Sequence, residues 1–449
     1  MLRRLAARYP QRYPLLLDSA AAGPLSRVSL LLGEPSAALW LTADGRLGAL
    51  GFTPRGTGFL EALENWWRTE RAATSHLLAG DTRAELPYDG GWALFLGYEL
   101  AHEIEPNLAL PLTGLACQAF ALRARCALVH DLAQGRVSAI AEAGATAALE
   151  RMVADAYQAA REAPQTGALA VRCVHEEDPA AYLTRVRRAK DYVRAGDVYQ
   201  ANLSRSWVVE LNGTPSAAMG ATLYERLCSA NPAPFAALAQ WRGVTILSSS
   251  PERLVRVDGR RIDTRPIAGT RPRSRRPEAE LRETAELAAH PKERAEHVML
   301  IDLERNDLGR VCEAGTVHVD ELMTIESYQH VHHIVSNVSG TLRADVTPIG
   351  AVRAVFPGGT ITGCPKFRCM QIIAELEGEG RGAYTGSLGY LTRSGRLDLN
   401  ILIRTMTLSG ERLTFRAGAG IVADSDPERE LEETRAKARG LLAALGGER

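Results

Sequence analysis

The sequence predicts a mixed α/β chain built on antiparallel hairpins with helices packed beside them. Three observations predict it. Short apolar runs end in glycine turns through much of the chain, as at 384–391, 397–407 and 412–416. Longer stretches at 144–163, 178–195, 277–303 and 427–445 carry helical spacing. Strands and helices do not alternate one for one, so neither a doubly wound sheet nor an α/β barrel fits. The 449 residues exceed one ordinary core. The expected division is an N-terminal region over 1–165 and a larger domain over 170–447, with a linker at 163–167.

Taken in order, the apolar runs at 15–17, 28–32 and 38–41 are short strands between turn signals. GGWALFLGY at 90–98 is a buried strand bounded by glycines. The alanine-rich 144–163 is a helix, and 178–195 is an amphipathic helix stopped by Gly196. Strands follow at 199–209, 234–239, 244–248 and 253–257. One charged helix is expected over 277–303, and a last helix starts at Asp426-Pro427.

Composition removes several function classes. Basic and acidic side chains balance at 53 each, which gives no electrostatic footprint for nucleic acid or an anionic membrane. Apolar runs are far too short to span a bilayer, and Tyr-Pro-Gln-Arg-Tyr-Pro interrupts the N-terminus where a signal peptide needs continuity. Seven cysteines, an odd number with no Cys-x-x-Cys, predict free thiols, no zinc site and a reducing cytoplasm. Only four of the 53 basic residues are lysine: Lys190, Lys292, Lys366 and Lys437. In an arginine-using chain, a lysine can mark a need for a compact ammonium.

Several stretches could carry chemistry. Glu293 and Glu296 stand three apart on a helix, as do Glu430 and Glu433, with Lys437 one turn on. Two such helices facing each other could share a magnesium ion, whose hard oxygen ligands include few carboxylates. On pattern alone they are equally two solvated surfaces. FPGGTITGCPK at 356–366 lacks the phosphate-loop spacing. It suits close backbone approach to a ligand, with Thr360 and Thr362 as hydroxyls, or simply a turn. Gly418 and Gly420 could present backbone N–H groups to a carboxylate. In QHVHHIVS, one of His332 and His333 should face a core or cleft. Glu252 follows a strand end, where an acid can point into a site. TRPIAGTRPR at 264–273 is a tight basic turn around an inert Ala268.

Together these stretches resemble the chorismate-utilising enzymes. The resemblance is dense over 180–445, on SPE, PIAGT, KERAEHVMLIDLERNDLGRV, HHIVS, GGTITGCPK, AGAGIVADSDPE and ETRAK, and thinner at 86–100. It implies a large β-sandwich flanked by helices, Mg2+ and chorismate. Glu296 and Glu433 resemble the metal ligands, with Glu293 and Glu430 in support through water. Arg404, Tyr384 and the Gly420 amide resemble the grip on the pyruvyl carboxylate, and Lys437 a neighbour of the ring carboxylate. Glu252 and His333 resemble an acid/base pair around the departing 4-hydroxyl; Thr270 and Thr360 resemble site hydroxyls. A faint resemblance of LLLDS at 15–19 to a tryptophan site completes it.

Within that resemblance Gln200 stands where water-using members carry a lysine base, so ammonia is the expected nucleophile. A separate glutamine amidotransferase subunit would supply it. Ala268 resembles anthranilate synthases, whereas the best-known aminodeoxychorismate synthases have lysine there. Gln-Ala-Asn-Leu at 200–203, FPGGTITG, His332-His333 and GSLGY lean toward the latter group. The expected activity is amination of chorismate to 4-amino-4-deoxychorismate, for 4-aminobenzoate and folate. Anthranilate formation is the alternative, and a non-catalytic chorismate-binding regulator the alternative outside enzymes.

Overall fold

The structure, a computed structural model, describes residues 1–446 apart from 22, 24, 73–86, 163–168, 214–216, 274–275 and 329–330. The expected linker at 163–167 lies outside the described residues. The strands are β1 (Leu15–Asp18), β2 (Val28–Thr42), β3 (Leu47–Leu50), β4 (Gly91–Leu96), β5 (Cys117–Asp131), β6 (Arg136–Ala141) and β7 (Val171–Glu176). They continue as β8 (Gln200–Leu211), β9 (Phe235–Trp241), β10 (Val244–Ser250), β11 (Arg253–Asp258), β12 (Arg261–Arg265), β13 (Ile267–Pro272), β14 (His318–Ser327) and β15 (Val331–Thr341). The last are β16 (Gly363–Cys364), β17 (Ser387–Thr392), β18 (Leu397–Asn400), β19 (Thr405–Ser409) and β20 (Arg412–Ile421). The helices are α1 (Leu2–Arg8), α2 (Phe59–Ala72), α3 (Thr146–Arg161), α4 (Pro179–Arg194), α5 (Ala217–Ala230), α6 (Pro277–Ala289), α7 (Pro291–Gly309), α8 (Pro348–Val355), α9 (Lys366–Glu377) and α10 (Pro427–Ala444).

All strand pairings among the described residues are antiparallel, as the hairpin pattern predicts. Two arms leave the long β2–β5 ribbon. One runs β2–β1–β9–β10–β19–β20–β8–β7. The other runs β5–β4–β17–β18–β11–β12–β15–β14. The strands before residue 165 therefore share their sheets with those after 170: β1 pairs with β9, and β4 with β17. Strand β4 is buried along its whole length. Trp92 from β4 packs edge-on against Trp66 of α2, with centroids 5.4 Å apart.

Two expected boundaries move. The charged helix at 277–303 is two helices, because Pro291 forces the preceding His290 out of the helical region. His290 then caps α7, its ring accepting from the Glu293 N–H. The expected strand 397–407 is broken at 401–404, where the chain crosses between arms. No helix among the described residues is long and apolar enough to cross a membrane. All seven cysteines are free thiols.

Candidate active site

Two neighbouring crossovers between the arms carry Glu252 and Arg404. β10 lies in one arm and β11 in the other, with Glu252 on the link; β18 and β19 repeat this, with Arg404 on their link. The links are zipped together. The Ile401 N–H donates to the Glu252 carbonyl at 3.0 Å, the Ser249 N–H to the Arg404 carbonyl at 3.1 Å, and the Ser250 hydroxyl to the Ile401 carbonyl at 2.5 Å. Arg404 sits at φ +51, a left-handed conformation a non-glycine residue keeps only when its surroundings impose it.

Glu252, His333 and Arg404 control one another's protons. Burial pushes the Glu252 carboxyl up to about 7, against the Thr360 hydroxyl, the Ile267 N–H and the charges of Lys437 and Arg404. Burial lowers the Arg404 pKa, and Glu252 opposes the change. Burial, then Arg404, drives His333 down to about 3, so its imidazole is neutral near pH 7. Glu252 is thus the member of this trio that changes protonation near neutrality. On the neighbouring ladder Ala268 pairs with Ile334 and Thr270 with His333, with a bulge at Gly269 between them. Gly269 has φ +65, and a Cβ there would meet Glu293 Oε2 at 2.3 Å.

The other half of the site comes from α7 and α10. Arg271 pairs with Glu293 at 2.7 Å. Gln200 donates through Nε2 to Glu296 Oε1 at 3.2 Å. Lys437 pairs with Glu433 at 2.8 Å and donates to the Gly418 carbonyl at 2.9 Å. Desolvation lowers the Lys437 pKa, but Glu433, Tyr384 and Glu296 outweigh it and hold the ammonium above its ordinary value. Glutamates from two helices far apart in sequence therefore act on one ammonium. Glu430 is buried in the first turn of α10.

Gly418 and Gly420 lie in β20, opposite Ser204 and Asn202 of β8, rather than in a loop. The β19 pairing ends at Phe415, so among the described residues this stretch of β20 has β8 as its one strand neighbour. What the glycines supply here is room. A Cβ on Gly420 would lie 2.0 Å from Gln200 Nε2, and one on Gly418 would lie 2.8 Å from the Tyr384 hydroxyl.

Some expected donors do other work. Lys366 pairs with Asp307 at 2.5 Å and donates to the Val355 carbonyl, clipping α9 to α7. The Thr362 hydroxyl is buried and donates to the Gly358 carbonyl at 2.8 Å, which makes it a brace for its own turn. Both His332 and His333 are buried, not one of them, because β15 is paired along both edges. His332 Nδ1 is taken up by the Ser327 hydroxyl at 2.7 Å. In the N-terminal region, Leu17, Asp18 and Ser19 line a separate cavity of about 570 Å³ with Pro234, Phe235 and Arg253.

Sequence reasoning missed a buried polar scaffold. Glu377 accepts from the Ser204 N–H at 2.8 Å and its hydroxyl at 2.9 Å, and pairs with Arg381 at 2.7 Å and Arg416 at 3.2 Å. Burial raises its pKa, but Arg381 and Arg416 outweigh that and hold it down at about 2. Buried Glu99 accepts from the Arg381 and Gly382 N–H groups and so fixes the turn that carries Tyr384. Glu304 on α7 is buried beside Thr264 and feels the charge of Glu252; burial, then Asp307, pushes it up to about 8. The available signal was spacing: His297, Leu300, Glu304 and Asp307 recur at helical intervals on a buried stripe.

The four helix glutamates offer oxygen ligands alone, which suits a hard cation. Glu293 Oε2 is buried with no hydrogen-bond partner, one oxygen left for such an ion. Among the described residues no three of them bring ligand atoms within 4.8 Å of one another.

Residues 36–443 match the family described as chorismate binding enzyme. Anthranilate synthase component 1 of Streptomyces coelicolor is 42% identical over 80% of this chain and 73% of its own. Aminodeoxychorismate synthase of Streptomyces griseus is 38% identical over 96% of this chain, which spans 61% of that protein. The crystal structure of anthranilate synthase component I from Streptococcus pneumoniae superimposes with a TM-score of 0.78 at 30% identity, covering 94% of this chain and 93% of that one.

Proposed function

The chain belongs to the chorismate binding enzymes, and on that footing we propose that it aminates chorismate with ammonia to 4-amino-4-deoxychorismate. Gln200 carries the choice of ammonia over water as the nucleophile. Its amide donates to Glu296 and cannot take a proton from water. A nucleophile that needs no such base, ammonia, fits the position. Glu296 and Glu433, supported through water by Glu293 and Glu430, would hold Mg2+, which polarises the ring carboxylate it binds.

The protein's own groups do the rest. Arg404, Tyr384 and the Gly420 amide hold the pyruvyl carboxylate, and Lys437 keeps its charge beside the ring carboxylate. Glu252, protonated up to about pH 7, hands its proton to the departing 4-hydroxyl. His333 stays neutral and orients that oxygen by hydrogen bonding. Thr360 faces the Glu252 carboxyl, and Thr270 is held opposite His333 by the ladder.

Ala268 favours a second reading, anthranilate formation, because a methyl group leaves room for ammonia at ring C2. The S. coelicolor and S. pneumoniae relatives carry that name. The near-complete coverage by the S. griseus protein and the 200–203 stretch favour the first. Product identity decides. Purified chain, chorismate, Mg2+ and excess ammonium are expected to give a product that an added lyase converts to 4-aminobenzoate; anthranilate instead would establish the second reading. Glutamine is expected to replace ammonium only when a separate glutamine amidotransferase subunit is present.

A further inference from the structure

Far from Glu252, β7 and β8 bring together three side chains that the reaction does not use. Cys173 stands directly opposite Glu210, and His175 lies two residues along β7 on the same face. Cys173 Sγ is 3.0 Å from His175 Nε2, which is 3.5 Å from Glu210 Oε1. All three ligand atoms lie within 4.8 Å of one another. Bonds of about 2.3 Å to sulfur and about 2.0–2.1 Å to nitrogen or oxygen place tetrahedral ligands roughly 3.3–3.6 Å apart. The cluster needs only a small adjustment to close on one ion.

We propose that Cys173, His175 and Glu210 form a surface site for a thiophilic divalent cation, Zn2+. Thiolate and imidazole select against the magnesium expected between α7 and α10. Arg172 engages Glu210 through Oε2 at 3.5 Å, which leaves Oε1 turned toward His175. Such an outer partner orients a ligating carboxylate. The three side chains are exposed or half-buried, so the ion arrives from solvent and its fourth position holds water. Strand β7 has β8 as its one strand partner among the described residues. The ion would pin this edge strand in place. Gln200 lies at the opposite end of β8, about 33 Å away at ~3.3 Å per residue.

Cobalt tests the site, because a Co2+–thiolate bond absorbs in the near ultraviolet and carboxylates do not produce that band. Metal-free full-length chain, kept reduced with a phosphine, is titrated with Co2+. One equivalent is expected to give the band, and Zn2+ to displace it. Cys173→Ser should abolish it, and His175→Ala should weaken Co2+ binding about tenfold or more. Cys364→Ser, which removes another half-buried thiol, should keep it. Chorismate turnover by Cys173→Ser should stay at the wild-type level, which separates this result from the activity assigned above. No band at large Co2+ excess, or a band surviving in Cys173→Ser, overturns the proposal.

Discussion

At the scale of single residues, the site depends on where a proton sits and where a side chain is missing. A carboxyl raised to about 7 stays protonated through pH 6 and loses its proton above that. As the general acid, Glu252 should make kcat/KM, expressed per free ammonia, fall as pH rises through about 7. Glu252→Gln should flatten that limb at a much lower rate. The same shift has a stability sign. Folded Glu252 holds a proton that an unfolded glutamate releases near 4.3, so this residue costs increasing stability as pH rises from about 4.3 to about 7. Chemical denaturation should therefore find Glu252→Gln more favourable relative to wild type at pH 8 than at pH 4. Gly420 makes the complementary point. A methyl group there would displace Gln200 from Glu296, and misplacement of about 1 Å costs on the order of a hundredfold in rate. Gly420→Ala should lose about that much turnover with an unchanged circular dichroism spectrum.

At the scale of elements, helices α7 and α9 hold buried charge that a surface-helix pattern does not announce. Glu377 at the end of α9 is neutralised by two arginines and fully hydrogen-bonded. Removing its charge leaves the buried Arg381 without its carboxylate partner, while Arg416 keeps its pair with Glu379; losing such a buried pair costs about 3–5 kcal/mol. Glu377→Gln should lower the urea midpoint accordingly. A midpoint within error of wild type would mean that solvent reaches the arginines. The break at His290-Pro291 has a local cause, yet its consequence is positional. It starts α7 so that Glu293 lies beside Gly269 and Glu296 beside Gln200.

At the scale of the whole molecule, the two arms of sheet together with α7 and α10 bring 200, 252, 268, 296, 333, 404 and 433 toward one place. Glu296→Gln and Glu433→Gln should each abolish Mg2+-dependent turnover while leaving the thermal midpoint nearly unchanged, since Glu433 is half-exposed and Glu296 only half-buried. Normal turnover in either variant would remove the proposed metal site. The sequence by itself determined the hairpin-rich α/β class, most strand and helix positions and the helical spacing of the two glutamate pairs. Periodicity, glycine turns and Asp426-Pro427 are local signals, and local signals survive in one dimension. Only the tertiary structure decided that Lys366 is a clip, that both histidines of β15 are buried and that Glu304 is buried within reach of the Glu252 charge. It also decided that Cys173-x-His175 meets Glu210. Each of these rests on contacts between segments distant in sequence, and burial and pKa follow from those contacts rather than from neighbours in the chain.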